Sequence, residues 1–439
     1  MSDRRQNGHS TVELPREWRR DKIARLCDFV GSGGTPPTGN PDFYDGGIPW
    51  VQTGDLTDDC LDETAKTITE KGLRNSAARL YPKNTLLVAM YGATIGKLGI
   101  LKFAAAVNQA CCALVVRKTV DMRFMFYTLR SMRADLIADG LGGGQQNIGQ
   151  ETIKQKYIVH PPLPEQQRIA AYLDASCAAI DAAVSAKRRQ LETLDELCSS
   201  ILLRAITLGI SDGVQTISTG SSALPLIPNG WRLDRLKSVA SIRYGLGQPP
   251  AELASGVAMI RATDVDGGKI YTDNLLRVDP DALPRDRNPY LKPGEIIVVR
   301  SGAYTGDSAI VPSELEGAVA GYDMVVTATR ASSRFIAYGL LSRYVLQGQI
   351  LLLTLRAAQP HLNAEELGSV IMALPPTRKE QEAIADFLDT KLADMERLVT
   401  GIKTQIATLK DYRKSLIHEC VTGQRRIAEA DLNHVKGHG

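Results

Sequence analysis

The chain has 439 residues, and 52 Lys+Arg against 49 Asp+Glu leave a formal charge of only +3. A hydrophobic fraction of 44% with 23% charged residues excludes a largely disordered protein and gives length for two to four domains of ~100–200 residues. No stretch approaches the ~18 consecutive apolar residues of a membrane helix, and the N-terminus lacks the apolar core of a signal peptide. The seven cysteines include no C-x-x-C pair and read as reduced thiols of a cytoplasmic protein.

In chain order, residues 12–162 hold short β-prone runs, among them Thr85–Met90 and Ala113–Val116, separated by turn clusters such as Gly31–Gly34 and Gly46-Gly47. One segment there, Arg123–Asp139, has a helical pattern. After the breaker Pro161-Pro162-Leu163-Pro164, residues 163–211 form a long run with helical spacing, and a Gly/Ser-rich linker spans 212–225. Residues 226–373 return to short strands (Ile296–Val299, Met324–Thr327) with one helical stretch, Arg334–Gln349. Leu374-Pro375-Pro376 opens a second long helical run over 374–424, and residues 425–439 form a tail.

The second half repeats the first. Trp18-Arg19-Arg20-Asp21 returns as Trp231-Arg232-Leu233-Asp234, and Gly92-Ala93-Thr94-Ile95-Gly96 returns as Gly302-Ala303-Tyr304-Thr305-Gly306. Glu165-Gln166-Gln167-Arg168-Ile169-Ala170 returns as Glu380-Gln381-Glu382-Ala383-Ile384-Ala385. The matches keep one order at offsets of 209 to 215, so the chain is a tandem duplication of a unit of roughly 215 residues. Each unit is an α+β globular domain followed by a long helix.

Apolar residues in the helical runs alternate in steps of four and three. One seam is Leu173, Cys177, Ile180, Val184, Lys187, Leu191, Leu194, Cys198, Ile201 and Ala205. The other is Leu388, Leu392, Met395, Val399, Ile402, Ile406, Leu409, Arg413, Leu416 and Cys420. Such narrow stripes suit a coiled coil between the two helices, each roughly 60–65 Å long at ~1.5 Å per residue. Antiparallel pairing relates equivalent units by a pseudo-two-fold, although heptads alone do not fix the direction; each helix packing on its own domain is the alternative. Lys187 and Arg413 interrupt the seams, either setting register or reaching a solvated edge.

Motifs for catalysis are missing. Gly92–Leu98 imitates a phosphate-binding loop but is one residue short, lacks the magnesium-holding Ser/Thr, and has Asp307 in place of Lys97 in its copy. Gly140–Gly144 follows a helical pattern instead of a strand, and Asn288-Pro289-Tyr290 lacks the second proline of an adenine-methyltransferase motif. His434 and His438 have no evident third ligand, so no metal site is expected. Two linked readers suit two short elements on a rod such as duplex DNA. The long helical runs carry five basic against six acidic residues (163–211) and eight of each (374–424), so positive surface must sit on the globular domains. Strong DNA binding then needs help from partner subunits.

These residues closely resemble the specificity subunit of Type I restriction–modification systems over about 15–424. The resemblance rests on Gly33-Gly34-Thr35-Pro36, Ile48-Pro49-Trp50 to Gly54-Asp55, Thr94-Ile95-Gly96, Gln146-Asn147-Ile148 and Pro162-Leu163-Pro164-Glu165-Gln166. It implies two target-recognition domains (12–162 and 226–373), each reading one half of a bipartite, asymmetric DNA site. It also implies that two antiparallel spacer helices fix the gap and dock two methyltransferase (modification) subunits. The resemblance implies a non-catalytic chain without a cofactor of its own. S-adenosylmethionine would belong to the methyltransferases, with ATP and magnesium in a restriction/translocase subunit, and no membrane would be involved. The other class of function is a coiled-coil scaffold whose domains bind proteins. The second copy departs from the pattern at Tyr244–Pro249, at Met259 in place of Trp50, and at Pro360-His361 in place of Gln146-Asn147. Loops offering amide, hydroxyl and guanidinium groups suit base edges and phosphates. The expected DNA contacts are Gln52, Thr53, Thr94, Lys97, Gln145 and Gln146 in the first domain, and Arg261, Thr263, Arg300, Tyr304 and Gln359 in the second.

Overall fold

A computed structural model describes residues 15–139, 147–221, 224–248, 250–284, 288–354 and 361–436. The chain divides into two compact units, 1–187 with 404–439, and 188–403. The break falls inside both long helices, Leu163–Leu208 and Arg378–Thr422, so each unit contains a piece of each.

In the first unit a five-stranded sheet runs in the order Cys27–Ser32, Cys111–Val116, Leu86–Ala89, Leu98–Leu101, Asp59–Leu61, antiparallel except for the last pair. A four-stranded sheet pairs Tyr44–Val51 in parallel with Ala105–Val107. The buried faces carry Leu86, Leu87, Val88, Leu114 and Val107, all inaccessible to solvent, as near-continuous apolar runs require. In the second unit Ala240–Tyr244, Met324–Ala328, Ile296–Val298 and Ser308–Ile310 form the equivalent antiparallel sheet. Glu252–Ile260 pairs in parallel with Val319–Ala320, as Tyr44–Val51 does with its partner. The duplication read from sequence is thus a duplication of strand pairing.

The repeated motifs are structural joints. Trp18 stacks edge-on against Phe124 and Trp231 against Phe335, with ring centroids 6.5 and 6.4 Å apart. The side chain of Gln166 accepts the N–H of Asp121 (2.9 Å) and donates to the carbonyl of Pro161 (2.8 Å). Gln381 does the same between Ser332 N–H (2.7 Å) and the Pro375 carbonyl (3.1 Å). Each glutamine therefore ties the N-cap of a domain helix, Met122–Ser131 or Ser333–Leu341, to the proline breaker ahead of the long helix. Beside this tie, Arg123 and Tyr127 both bond Asp174, and Arg334 and Tyr338 both bond Asp389.

Close backbone approach explains the glycine of the Gly-Gly-Thr-Pro element. A Cβ on Gly33 would lie 1.7 Å from the Val107 carbonyl oxygen, and one on Gly245 would lie 2.4 Å from that of Gly321. The second copy keeps this glycine although the residues around it change. Trp50, 2% exposed, donates its indole N–H to the Gly34 carbonyl at 3.1 Å. Met259 fills the matching place, 3% exposed, without a polar group to satisfy.

Every seam residue of the long helices is buried or half-buried, from Leu173 (0%), Ile180 and Val184 through Leu191 and Leu194, and from Leu388 (0%) through Met395, Val399, Ile406 and Leu409. In the first unit, Glu165 pairs with Arg426 (2.8 Å), Tyr172 with Arg425 (2.8 Å) and Asp181 with Arg413. Partner numbers fall as helix numbers rise, so these two segments run in opposite directions. In the second unit, the end of the first long helix, Leu208–Ile210, lines one hollow with Ala383-Ile384 near the start of the second. By length and composition alone, Leu163–Leu208 could cross a membrane, unlike the other unbroken helices among the described residues. No long unbroken apolar run produces that property; polar residues interrupt an Ala/Ile/Leu-rich sequence throughout.

Three local expectations change. The helix expected over Arg334–Gln349 is broken at Ser342, whose backbone is extended (φ −69°, ψ 145°) and whose hydroxyl donates to the Gly339 carbonyl (2.6 Å). A five-residue π turn, Leu346–Ile350, follows. The Gly/Ser-rich linker carries a strand, Thr216–Ser218, paired with Leu226–Pro228, and Leu224 and Ile227 are buried. The tail continues into a helix, Glu429–Lys436, with Ile427 buried just ahead of it. His438 lies outside the described residues. All seven cysteines are unpaired; burial pushes the Cys27, Cys111 and Cys420 thiols up to about 12.

Candidate nucleic-acid interface

Two loops in each unit carry those of the expected contact residues that are described, and their backbones match. Gln52 ends strand Tyr44–Val51 and opens a single 3-10 turn, Thr53–Asp55; its N–H donates to the Asp55 carboxylate at 2.7 Å. Arg261 follows strand Glu252–Ile260 and opens the turn Ala262–Asp264, its N–H donating to Asp264 at 2.8 Å. The aspartate satisfies an otherwise orphaned turn N–H in both copies, which fixes where residue 52 or 261 points. Gln52 and Thr53 are half-buried. Arg261 is more committed: Nε and Nη2 both bond Asp264 at 3.0 Å, and Nη2 also reaches the Asn274 carbonyl at 3.3 Å. That bidentate pair raises the guanidinium pKa and holds its fork away from other acceptors. Thr263 sits in the middle of this turn and is exposed.

The second loop is the hairpin connection. Leu86–Ala89 and Leu98–Leu101 are joined through Gly92 (φ +81°) and Gly96 (φ +75°). Ile296–Val298 and Ser308–Ile310 are joined through Gly302 (φ +86°) and Gly306 (φ +94°). Left-handed backbone at both positions demands glycine. The Lys97 N–H donates to the Thr94 carbonyl (2.9 Å), and the Asp307 N–H donates to that of Tyr304 (3.0 Å). Thr94 and Lys97 are half-buried, whereas Tyr304 is 46% exposed. Strand Asp59–Leu61, which follows the Gln52 turn, pairs with Leu98–Leu101, so both loops of the first unit serve neighbouring strands. Just before that strand Asp58 accepts the Leu98 N–H at 2.9 Å and pairs with Arg133. Burial opposes ionisation there, but these bonds still hold its carboxyl below the usual range.

Arg300 occupies a different environment from Arg261. Its guanidinium carbon lies 4.6 Å from the ring centre of Tyr244 and 4.2 Å from that of Tyr322. Nη2 lies 3.0 Å from Nε2 of His361. Its backbone is fastened on both sides, N–H to Asp323 Oδ1 (3.2 Å) and carbonyl to Leu362 N–H (2.8 Å). Asp323 is 1% exposed, and burial pushes its carboxyl up to about 6, partly offset by the bond from Arg300 N–H. In the first unit the same backbone place is Met90, whose carbonyl accepts the Ile148 N–H at 2.7 Å. Gln145, Gln146 and Gln359 lie outside the described residues.

The sequence reading missed Tyr244 and Tyr322 as part of this group. Both are exposed (41 and 47%), and each stands beside a glycine at a strand end, in Tyr244-Gly245 and Gly321-Tyr322. An aromatic residue beside glycine at two loop entrances was the available signal. The second unit gathers further exposed tyrosines, Tyr271 and Tyr290. Among the described residues, no group of three or more His, Cys, Asp or Glu is placed to hold a metal ion. The arrangement offers donors, stacked rings and fixed turns, which suit recognition of a surface and not bond making.

The family model described as the Type I restriction modification DNA specificity domain matches residues 15–193 and 229–408. The chain is similar to the Type I restriction enzyme MjaIX specificity subunit of Methanocaldococcus jannaschii, at 21% identity over 95% of each chain. It is also similar to the EcoR124I/EcoR124II specificity subunit of Escherichia coli, at 26% identity over 36% of this chain and 40% of that one. Among solved structures, a chain from a study of complex assembly and conformational transition in a type I R-M system matches with a TM-score of 0.74. That match has 17% identity and covers 93% of this chain and 98% of the other. The HsdS subunit from Thermoanaerobacter tengcongensis matches with a TM-score of 0.56, 17% identity, and coverage of 94 and 99%.

Proposed function

The chain belongs to the Type I restriction modification DNA specificity family, and from that premise we propose how this non-catalytic DNA sequence-recognition subunit works. Each globular region reads one half of a bipartite, asymmetric DNA site. The two long helices pair as an antiparallel coiled coil, set the gap between the halves and dock two methyltransferase subunits. Those partners bring S-adenosylmethionine, and a restriction/translocase subunit brings ATP and magnesium; the setting is the cytoplasm, where the DNA is.

The observation that carries this reading is a shared backbone with exchanged side chains. Gln52 and Arg261 open equivalent turns, Thr94 and Tyr304 sit in equivalent hairpin loops, and Met90 and Arg300 hold equivalent strand ends. One scaffold presenting different donors and acceptors at matching places is what two unlike half-sites require. The opposed helix segments of the first unit and the covered seams of both helices support the coiled coil. A scaffold binding only proteins would not call for this divergence to fall on the loop residues while Gln166, Gln381, Gly33 and Gly245 persist.

Exchange of residues 226–373 for the matching region of a relative with another target tests the reading. Methylation by the assembled complex should change in one half of its motif and keep the other half. An unchanged motif, or a change in both halves, would contradict it.

A further inference from the structure

Arginine reads guanine when its fork meets O6 and N7 in the major groove, and the pairing discriminates best when the fork is already oriented. Three observations bear on which arginine of the second unit is so disposed. Arg261 is closed off by its bidentate bond to Asp264. Arg243 pairs with the buried Glu295 at 2.7 Å and donates to the Tyr290 carbonyl. Arg300 differs from both: no described carboxylate comes within ion-pairing distance of its guanidinium, and two tyrosine rings hold that group.

The stack is itself anchored. The Tyr244 hydroxyl accepts the Ala364 N–H at 2.9 Å, and Tyr244 ends a strand registered with Met324. Tyr322 is next to Asp323, which holds the Arg300 N–H. Arg300 Nε is buried and has no hydrogen-bond partner among the described residues, so the Nη end is the edge available to an outside acceptor. A guanidinium held within 4.6 Å of two ring centres has given up part of its rotamer freedom before binding.

We propose that Arg300 is the guanine-reading residue of the second recognition region, presenting its Nη edge from the Tyr244–Tyr322 stack to O6 and N7 of one guanine. This rests on the DNA-recognition reading above and adds one base to it. His361 orients the fork through Nη2 and touches no base. The first region has Met90 at this place, so it has no counterpart of this contact.

The test is methylome sequencing of a host expressing the full complex with the wild-type chain, Arg300→Ala or Arg300→Lys. The wild-type motif should contain a guanine, on either strand, in the half assigned to residues 226–373. Both variants should lose preference for it by roughly 10–100-fold while the other half-site stays intact. Lysine keeps the charge and the stem but not the fork, so it decides the matter if the alanine variant fails to assemble. An unchanged motif in Arg300→Lys, or a second half without guanine, overturns the proposal and leaves the two-half reading standing. Reduced methylation of an unaltered motif, with a salt dependence shallower by about one ion, assigns Arg300 to a phosphate and also overturns it. Absence of any bipartite wild-type motif would instead remove the DNA-recognition reading beneath it.

Discussion

Replacing Gln381 with alanine removes both ends of a buried bridge. Its carbonyl oxygen accepts the N–H of Ser332, a residue with no solvent exposure, and its amide donates to the carbonyl of the buried Pro375. Gln381 is itself 4% exposed, so water cannot readily take its place. An orphaned buried donor or acceptor costs about 1–3 kcal/mol, and here there is one of each. Allowing for partial relaxation around the smaller side chain, the expected loss is about 2–5 kcal/mol of local stability. That is roughly 30- to 4,000-fold in the opening equilibrium of helix Ser333–Leu341 and the start of the second long helix. Hydrogen exchange followed by peptide mass spectrometry on the full chain reads this locally, without assuming that two units unfold in one step. Protection should fall around 330–341 and 374–384 and stay unchanged around 121–131, where Gln166 makes the equivalent bridge. A change of less than threefold at 330–341 would refute the reasoning, because it would mean the two backbone groups find other partners at no cost.

Asp323→Asn tests the buried carboxyl beneath Arg300. With its pKa raised to about 6, the folded chain holds this proton more tightly than the unfolded chain. Stability therefore falls as pH rises from about 4 to 6, and the penalty is complete above that window. The variant should be more stable than wild type by roughly 1–3 kcal/mol at pH 7.5, converging near pH 4; denaturation midpoints at both pH values check this, and a pH-independent difference contradicts it. Gly33→Ala must displace the Val107 carbonyl and should cost at least about 3 kcal/mol, seen as loss of the folded first unit by circular dichroism and proteolysis. Tyr127→Phe removes one partly exposed bond to Asp174 and should cost about 1 kcal/mol, whereas Asp174→Asn also weakens the pair with Arg123 and should cost more; the two should be non-additive in a double-mutant cycle, and simple additivity would deny the joint.

The duplication, the long helices and their apolar stripes were legible because each rests on local spacing. A four–three alternation such as Leu173, Cys177, Ile180 and Val184 can be covered only as one helix face, and the structure covers it. Motifs that marked the family are mostly joints, not contacts: Trp50 bonds Gly34, Gln166 bridges Asp121 to Pro161, and Ile148 bonds Met90. Their repetition made them visible while saying little about DNA. The Arg300 group was only partly legible. Tyr244, Arg300, Tyr322 and His361 come from four separate segments, and their meeting depends on strand register, which one sequence does not specify. Arg261 looked equivalent to Arg300 in composition, but an aspartate three residues on occupies its fork. The break at Ser342 escaped because serine is compatible with a helix interior and becomes a cap only through its hydroxyl bonds to Gly339 and Val345.

The charge of +3 is in keeping with the proposal that this chain selects a site while partner subunits supply much of the grip. The most direct test of that account is methylome sequencing of a host carrying the methyltransferase partner with and without this chain. A bipartite, asymmetric motif should be methylated only when the chain is present. The same methylation in its absence, or methylation without sequence preference in its presence, would contradict the account.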